Sequence, residues 1–157
     1  MKTISTDVYT FDELNDEAKE KAREWAREFV CDYDWWDCIY EDAKNIGLEI
    51  TSFDLDRNRH AKGKLLQSAE QVAMNIRKEH GNTCDTYKLA TTFSKDLANA
   101  TSEDAKDIVR EDFERDLLEE YSVMLQCEHE HMYEDEYIDD MILANEYTFT
   151  KDGKRFA

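Results

Sequence analysis

The stretch that decides the fold is residues 102–125, SEDAKDIVREDFERDLLEEYSVML. Ser102 is a favourable helix N-cap, and Glu103 and Asp104 follow it at positions where the helix dipole favours negative charge. Apolar residues then recur at steps of three and four, so the stretch predicts a long helix with one buried face. These residues are Ala105, Ile108, Val109, Phe113, Leu117, Tyr121, Met124 and Leu125.

The opposite face of this predicted helix is almost wholly acidic. Residues four apart on a helix are separated by a rise of about 6 Å, and B-DNA carries about one charge per 1.7 Å of axis. Several such helices could present a phosphate-like field, although a solvated helix face is the plainer interpretation. The acidic residues are Glu103, Asp107, Glu111, Asp112, Glu114, Asp116, Glu119 and Glu120.

The remaining patterns predict an α+β fold in a single compact domain over residues 1–157. About six helices are expected to pack on a small antiparallel sheet, with a C-terminal β-hairpin around Asp152-Gly153. Asn15 is expected to cap one helix, and Gly47 to end another. Strands are expected at residues 2–10 and 48–56, the second with a bulge near Ser52, and residues 57–63 are interpreted as a basic connection.

The charge balance restricts the possible partners. The chain has 38 acidic and 20 basic residues and a formal net charge of -18. This charge argues against direct binding of nucleic acid or of an anionic membrane surface. It favours a basic partner. The alternative is that the acidic residues serve only to keep the protein soluble. Residues 57–95 form a basic segment with net charge +5, which is expected to balance the acidic helices within the fold.

The residues typical of metal and catalytic sites form no convincing motif. Cys31, Cys38, Cys84 and Cys127 contain no C-x-x-C pair and no signal peptide precedes them, so reduced thiols in a cytosol are expected. Cys127, His129 and His131 form the best metal-like group, yet no second cluster completes a four-ligand site unless His60, His80 or Cys84 folds nearby. The sequence therefore predicts no metal, no cofactor, no membrane span and no enzyme.

Both ends of the chain carry a family resemblance. Residues 9–22 (YTFDELNDEAKEKA), 53–57 (FDLDR) and 144–156 (ANEYTFTKDGKRF) resemble a family of small acidic phage and prophage proteins, largely uncharacterised and sometimes labelled antitoxins of toxin–antitoxin systems. Residues 127–135 depart from the family pattern. The resemblance implies a phage origin and the cytoplasm of an infected bacterial host, and it supplies no catalytic residues.

Together these observations predict a phage-encoded acidic protein that inhibits a nucleic-acid-handling defence complex, of anti-CRISPR or anti-restriction type, by nucleic-acid mimicry. The partner would be a basic host protein or nucleoprotein complex. The alternatives are an antitoxin-like module that neutralises a basic toxin, and a small metal-binding protein or enzyme that uses residues 127–131. The residues expected to bind the partner are Glu103, Asp107, Glu111, Asp112, Glu114, Glu119 and Trp35.

Overall fold

A computed structural model describes residues 1–156. The described chain belongs to the predicted α+β class, with six α-helices and two small antiparallel sheets. The strands are β1 (Tyr9–Thr10), β2 (Leu48–Asp54), β3 (His60–Leu65) and β4 (Thr148–Phe149). The helices are α1 (Asp16–Arg27), α2 (Asp37–Ile46), α3 (Ala69–Glu79), α4 (Asp85–Asn99), α5 (Glu103–His131) and α6 (Asp135–Ala144). None of these helices is both long enough and apolar enough to cross a lipid bilayer.

The chain divides into two compact units. The terminal unit comprises Met1–Trp35 together with the segment from Glu128 onward, and the central unit is Trp36–Cys127. Helix α5 contributes residues 103–127 to the central unit and residues 128–131 to the terminal unit. The single compact domain over residues 1–157 stays a prediction.

The sheet of the central unit is a hairpin of β2 and β3. The ladder runs from Leu48 opposite Leu65 to Asp54 opposite His60, and its register shifts between Ile50 and Ser52, which confirms the predicted bulge. The prediction that residues 57–63 form only a connection is wrong, because β3 begins at His60. Pairing with β2 overrides the low strand propensity of this polar segment.

The helices of the central unit begin and end at identifiable signals. Gly47 adopts a left-handed conformation (φ 96°) and ends α2, as predicted. The Ser68 hydroxyl accepts a hydrogen bond from the Gln71 N–H and caps α3, and Ser102 caps α5 in the same way through the Ala105 N–H. The core of this unit includes Ile46, Leu48, Val72, Ile76, Phe93, Phe113, Leu117 and Tyr121.

The apolar stripe predicted for α5 is mostly correct. Phe113, Leu117, Tyr121 and Leu125 are buried, but Ile108 is 58% exposed, so its predicted place in the core is wrong. The helix also continues past residue 125 to His131. The polar residues after Leu125 gave no apolar spacing from which this extension could be predicted.

The terminal unit joins the two ends of the described chain. Strand β1 pairs with β4 in antiparallel register, with Tyr9 opposite Phe149. Residues 2–8 were predicted to extend β1, but they form no regular structure, since β4 offers only two residues for pairing. The Asn15 side chain accepts a hydrogen bond from the Ala18 N–H at 2.8 Å and caps α1. The core contains Phe11, Leu14, Ala18, Ala22, Ala26, Val30, Met132, Ile138, Ile142 and Phe149.

The predicted C-terminal hairpin is present as a tight turn. Phe149 and Arg155 form a single antiparallel bridge, and the Thr150 N–H donates to the Lys154 carbonyl at 2.8 Å. Gly153 occupies the turn with φ 89°. A Cβ atom at this position would lie 2.1 Å from the Ala18 carbonyl oxygen, so glycine is required by both conformation and space.

Candidate partner-binding surface

Helix α5 carries six of the seven residues that the sequence predicts for partner binding. Phe113, Leu117 and Tyr121 bury one side of this helix in the core of the central unit. This packing fixes the direction in which the acidic side points. All six acidic residues are exposed or half-buried: Glu103, Asp107, Glu111, Asp112, Glu114 and Glu119.

Ion pairs neutralise part of this acidic surface. Four of the six predicted acidic residues are paired: Glu103 with Lys106 (3.5 Å), Asp107 with Arg110 (2.9 Å), Asp112 with Arg115 (3.1 Å) and Glu119 with Arg59. Glu111 and Glu114 have no ion-pair partner among the described residues. Solvent and salt screen exposed pairs of this kind, and they reduce the local field without removing it.

The net charge of α5 remains strongly negative. Residues 103–120 contain nine acidic and three basic side chains, a formal net charge of -6. These 18 residues span roughly 26 Å of helix, so the net density is about one negative charge per 4 Å, below that of duplex DNA. A complete imitation of a duplex would therefore need further acidic groups beside this helix.

The basic segment, residues 57–95, neutralises little of this charge. Arg59 pairs with Glu119 and also donates to the Gln126 side chain at 2.9 Å, and Lys88 pairs with Asp85 at 3.9 Å. The other six basic side chains of the segment form no ion pair within residues 1–156. Only one basic side chain of the segment, Arg59, therefore forms an ion pair with an acidic residue of α5. A second ion pair runs the other way, from Arg110 of α5 to Glu70 of the segment at 2.9 Å.

Trp35, the seventh predicted residue, lies in the terminal unit. Its side chain is half-buried and packs against the apolar cluster of that unit. The centroid of its ring lies 5.4 Å from that of His129. Trp35 thus presents part of its ring to solvent and uses the rest in packing.

The structure reveals a polar network that the sequence analysis missed. His80 lies between Thr86 and Asp42, with Nδ1 2.6 Å from Thr86 Oγ1 and Nε2 3.2 Å from Asp42 Oδ1. The Tyr121 hydroxyl donates to the other carboxylate oxygen of Asp42 at 2.7 Å. The His80 and Tyr121 hydrogen bonds hold the pKa of Asp42 below its ordinary value. Since these four residues come from different helices and from a helix terminus, no sequence motif marks them.

The order hydroxyl, imidazole and carboxylate resembles a catalytic triad, but here the hydroxyl belongs to a buried threonine. Thr86 is only 1% exposed and Tyr121 is fully buried, so little of either residue meets solvent. The network therefore connects α2, α4 and α5 as a structural contact. Asp42, His80 and Thr86 also line an open pocket, together with Cys84, Glu120 and Cys127. Burial together with Asp85 and Glu119 raises the pKa of the Glu120 carboxyl.

The residues considered for a metal site do not come together as a set of metal ligands. His80, Cys84 and Cys127 do line the same pocket. His131 lies 3.2 Å from the Glu134 carboxylate. Within residues 1–156, no three His, Cys, Asp or Glu side chains are placed so that they could hold a metal ion. The metal-dependent alternative gains no support from this geometry.

Comparison with protein-family models, with curated proteins and with solved structures gives no match for this chain. The resemblance to small acidic phage proteins therefore stays a prediction from the sequence, and function must be argued from the surface itself.

Proposed function

We propose that this protein is a phage-encoded binding protein that inhibits a bacterial nucleic-acid-handling defence complex, of anti-CRISPR or anti-restriction type, in the host cytoplasm. The observation that carries the proposal is the acidic side of α5, which includes Asp107, Glu111 and Glu114. Glu111 and Glu114 form no ion pair within the described chain. A protein site that holds DNA or RNA is rich in Lys and Arg because it must neutralise phosphates. The same site attracts a fixed array of carboxylates.

Long-range attraction would act mainly on the rate of encounter. A formal net charge of -18 steers the protein toward a basic cleft, and this steering weakens as salt screens the field. Contacts made after encounter would then set the dissociation rate. Inhibition by this route is therefore expected to decline steeply as the salt concentration rises.

The test is a cleavage assay with a purified CRISPR effector complex and, separately, a restriction endonuclease. The variant D107K/E111K/E114K reverses the charge of the α5 surface and is expected to abolish inhibition of the responsive enzyme. The control D7K/E24K/D140K changes the net charge by the same amount at exposed residues outside any ion pair of the described chain. It is expected to retain most of the inhibition.

Circular dichroism verifies that both variants are folded. Full inhibition by the α5 variant would exclude this surface as the binding site. If both variants lose inhibition to the same extent, overall charge and not the α5 surface determines inhibition. If the wild-type protein inhibits neither enzyme, the proposed function is wrong.

A further inference from the structure

The terminal unit displays a second surface, formed mainly by aromatic side chains. This aromatic patch consists of Tyr33, Trp35, His129, His131, Tyr133 and Tyr137, from the segment after α1 and from the end of α5 to the start of α6. Tyr33 is 54% exposed and Tyr133 37% exposed, values well above those of core aromatics such as Phe149. The patch is separate in sequence from residues 103–120 of α5.

Contacts among the members hold the rings in place. The His129 ring lies 5.4 Å from Trp35 and 5.2 Å from Tyr133, measured between centroids. The Tyr33 and Tyr137 hydroxyls are 2.8 Å apart and share a hydrogen bond, which raises the pKa of Tyr33 to about 12. Rings fixed in this way lose little conformational entropy on binding, and Tyr and Trp are enriched among residues that dominate binding energy.

The surroundings of the patch are acidic and contain few cations. Neither residues 28–35 nor residues 128–150 include a Lys or Arg. Four carboxylates in these segments, those of Asp32, Asp34, Glu128 and Glu130, form no ion pair within the described chain. Aromatic faces and unpaired carboxylates both attract cations, and a guanidinium satisfies both because it is planar and donates several hydrogen bonds.

An arginine of the chain itself, Arg27, contacts the edge of the patch. At the edge of the patch, Arg27 donates from Nε to the Tyr133 carbonyl at 3.2 Å and pairs through its guanidinium with Asp135. The carbonyl belongs to the turn that follows α5, where the helix dipole favours positive charge. A second guanidinium from another molecule would meet the rings of the patch together with carboxylates that form no ion pair in the described chain. Glu128 lies close enough to Tyr33, and Asp32 close enough to Tyr133, to contribute to raising the pKa of each tyrosine.

We infer that the aromatic patch binds arginine side chains on the surface of a basic partner protein. The inference identifies the chemistry of a contact surface in the terminal unit and does not depend on the mimicry proposed for α5. Ring stacking and bidentate hydrogen bonding distinguish arginine from lysine, whose ammonium is a compact and strongly hydrated point charge. The patch is therefore expected to prefer arginine over lysine at equal total charge.

The test compares an octa-arginine amide with an octa-lysine amide by calorimetry at physiological ionic strength. The wild-type protein is expected to bind the arginine peptide about fivefold more tightly or better. The variant Y33A/Y133A is expected to bind both peptides equally, whereas the conservative variant Y33F/Y133F keeps the rings and the preference. L66A/M74A, which removes two exposed apolar side chains of the central unit, is the matched control and should match the wild type.

A second measurement does not require a variant. In nuclear magnetic resonance spectra of the wild-type protein, the arginine peptide is expected to shift the ring signals of Tyr33, Tyr133 and the Trp35 indole. Equal affinity for the two peptides, unchanged arginine preference in Y33A/Y133A, or shifts confined to residues 103–120 would overturn the inference. The variant D107K/E111K/E114K should keep the arginine preference, so failure of α5 mimicry and failure of the patch give different results.

Discussion

The buried hydroxyl of Tyr121 donates a 2.7 Å hydrogen bond to Oδ2 of Asp42, whose side chain remains 45% exposed. One partner of this bond lies in the dry core and the other reaches solvent. The contact ties α5 to α2, and His80 binds the second oxygen of the same carboxylate. The stability of the central unit should therefore depend on the charge of Asp42.

Acid is expected to weaken the central unit through Asp42. Because its pKa is lower in the folded protein than the ordinary value of 3.8, its contribution is present above that value and is lost as the pH falls through the folded pKa. The free energy of unfolding can be measured with urea at a series of pH values from 6 downward. Below about pH 4 it should fall less in D42N than in the wild type. E41Q, at an exposed neighbour on α2, should follow the wild-type profile.

Removal of the Tyr121 hydroxyl is expected to destabilise the protein. Y121F eliminates a hydrogen bond to a charged group, a loss of about 1.5–3 kcal/mol, and should also raise the pKa of Asp42. Y87F is the control, since Tyr87 packs against the same core and its hydroxyl has no hydrogen-bond partner in the described chain. Equal free energies of unfolding for the two variants would contradict this account.

Gly153 is expected to tolerate no side chain. G153A would place a Cβ atom 2.1 Å from the Ala18 carbonyl oxygen at a residue with φ 89°, and we expect a loss of about 2 kcal/mol or more in thermal or urea unfolding. The control is G81A, for which the nearest atom is the Cys84 sulfur at 4.0 Å and φ is not left-handed. A stable G153A protein would show that the turn can move away from α1.

Arg23 is expected to be more sensitive to replacement by lysine than Arg115. Arg23 binds both oxygens of Asp139, through Nε at 2.7 Å and Nη2 at 2.9 Å, and its side chain is 18% exposed. Lysine cannot reproduce this bidentate geometry, so R23K should cost about 1 kcal/mol. R115K, at a side chain that is 71% exposed, should change the free energy of unfolding by less than about 0.5 kcal/mol. Comparable losses in both variants would contradict a special role for the bidentate pair.

Features encoded by local chemistry were predictable from the sequence. The caps at Asn15 and Ser102 and the glycine that ends α2 each depend on a few neighbouring residues. The bulge near Ser52 was readable because the apolar alternation of the strand slips there. The direction of the acidic side of α5 followed from its apolar spacing. Such features need no knowledge of what packs against them.

Features that depend on distant partners were not predictable. Strand β3 forms because β2 supplies a ladder, although its own residues are polar. Ile108 fits the helical spacing but lies near the start of α5, where it remains exposed. Asp42 and His80 are 38 positions apart, and only the folded chain brings them together. The aromatic patch likewise combines segments about 100 residues apart. Of its members only Trp35 is predicted from the sequence to bind a partner, while His129 and His131 are considered there only for a metal site.

The pairing of β1 with β4 has a consequence for how the protein is made. The central unit is one continuous segment, so all of its residues have emerged once residue 127 has left the ribosome. The terminal unit includes β1 but lacks α6 and β4 until residues 135–149 have emerged. During translation the apolar face of α1 therefore lacks its packing partners in α6 and β4 until late, so we expect the terminal unit to complete its fold after the central unit.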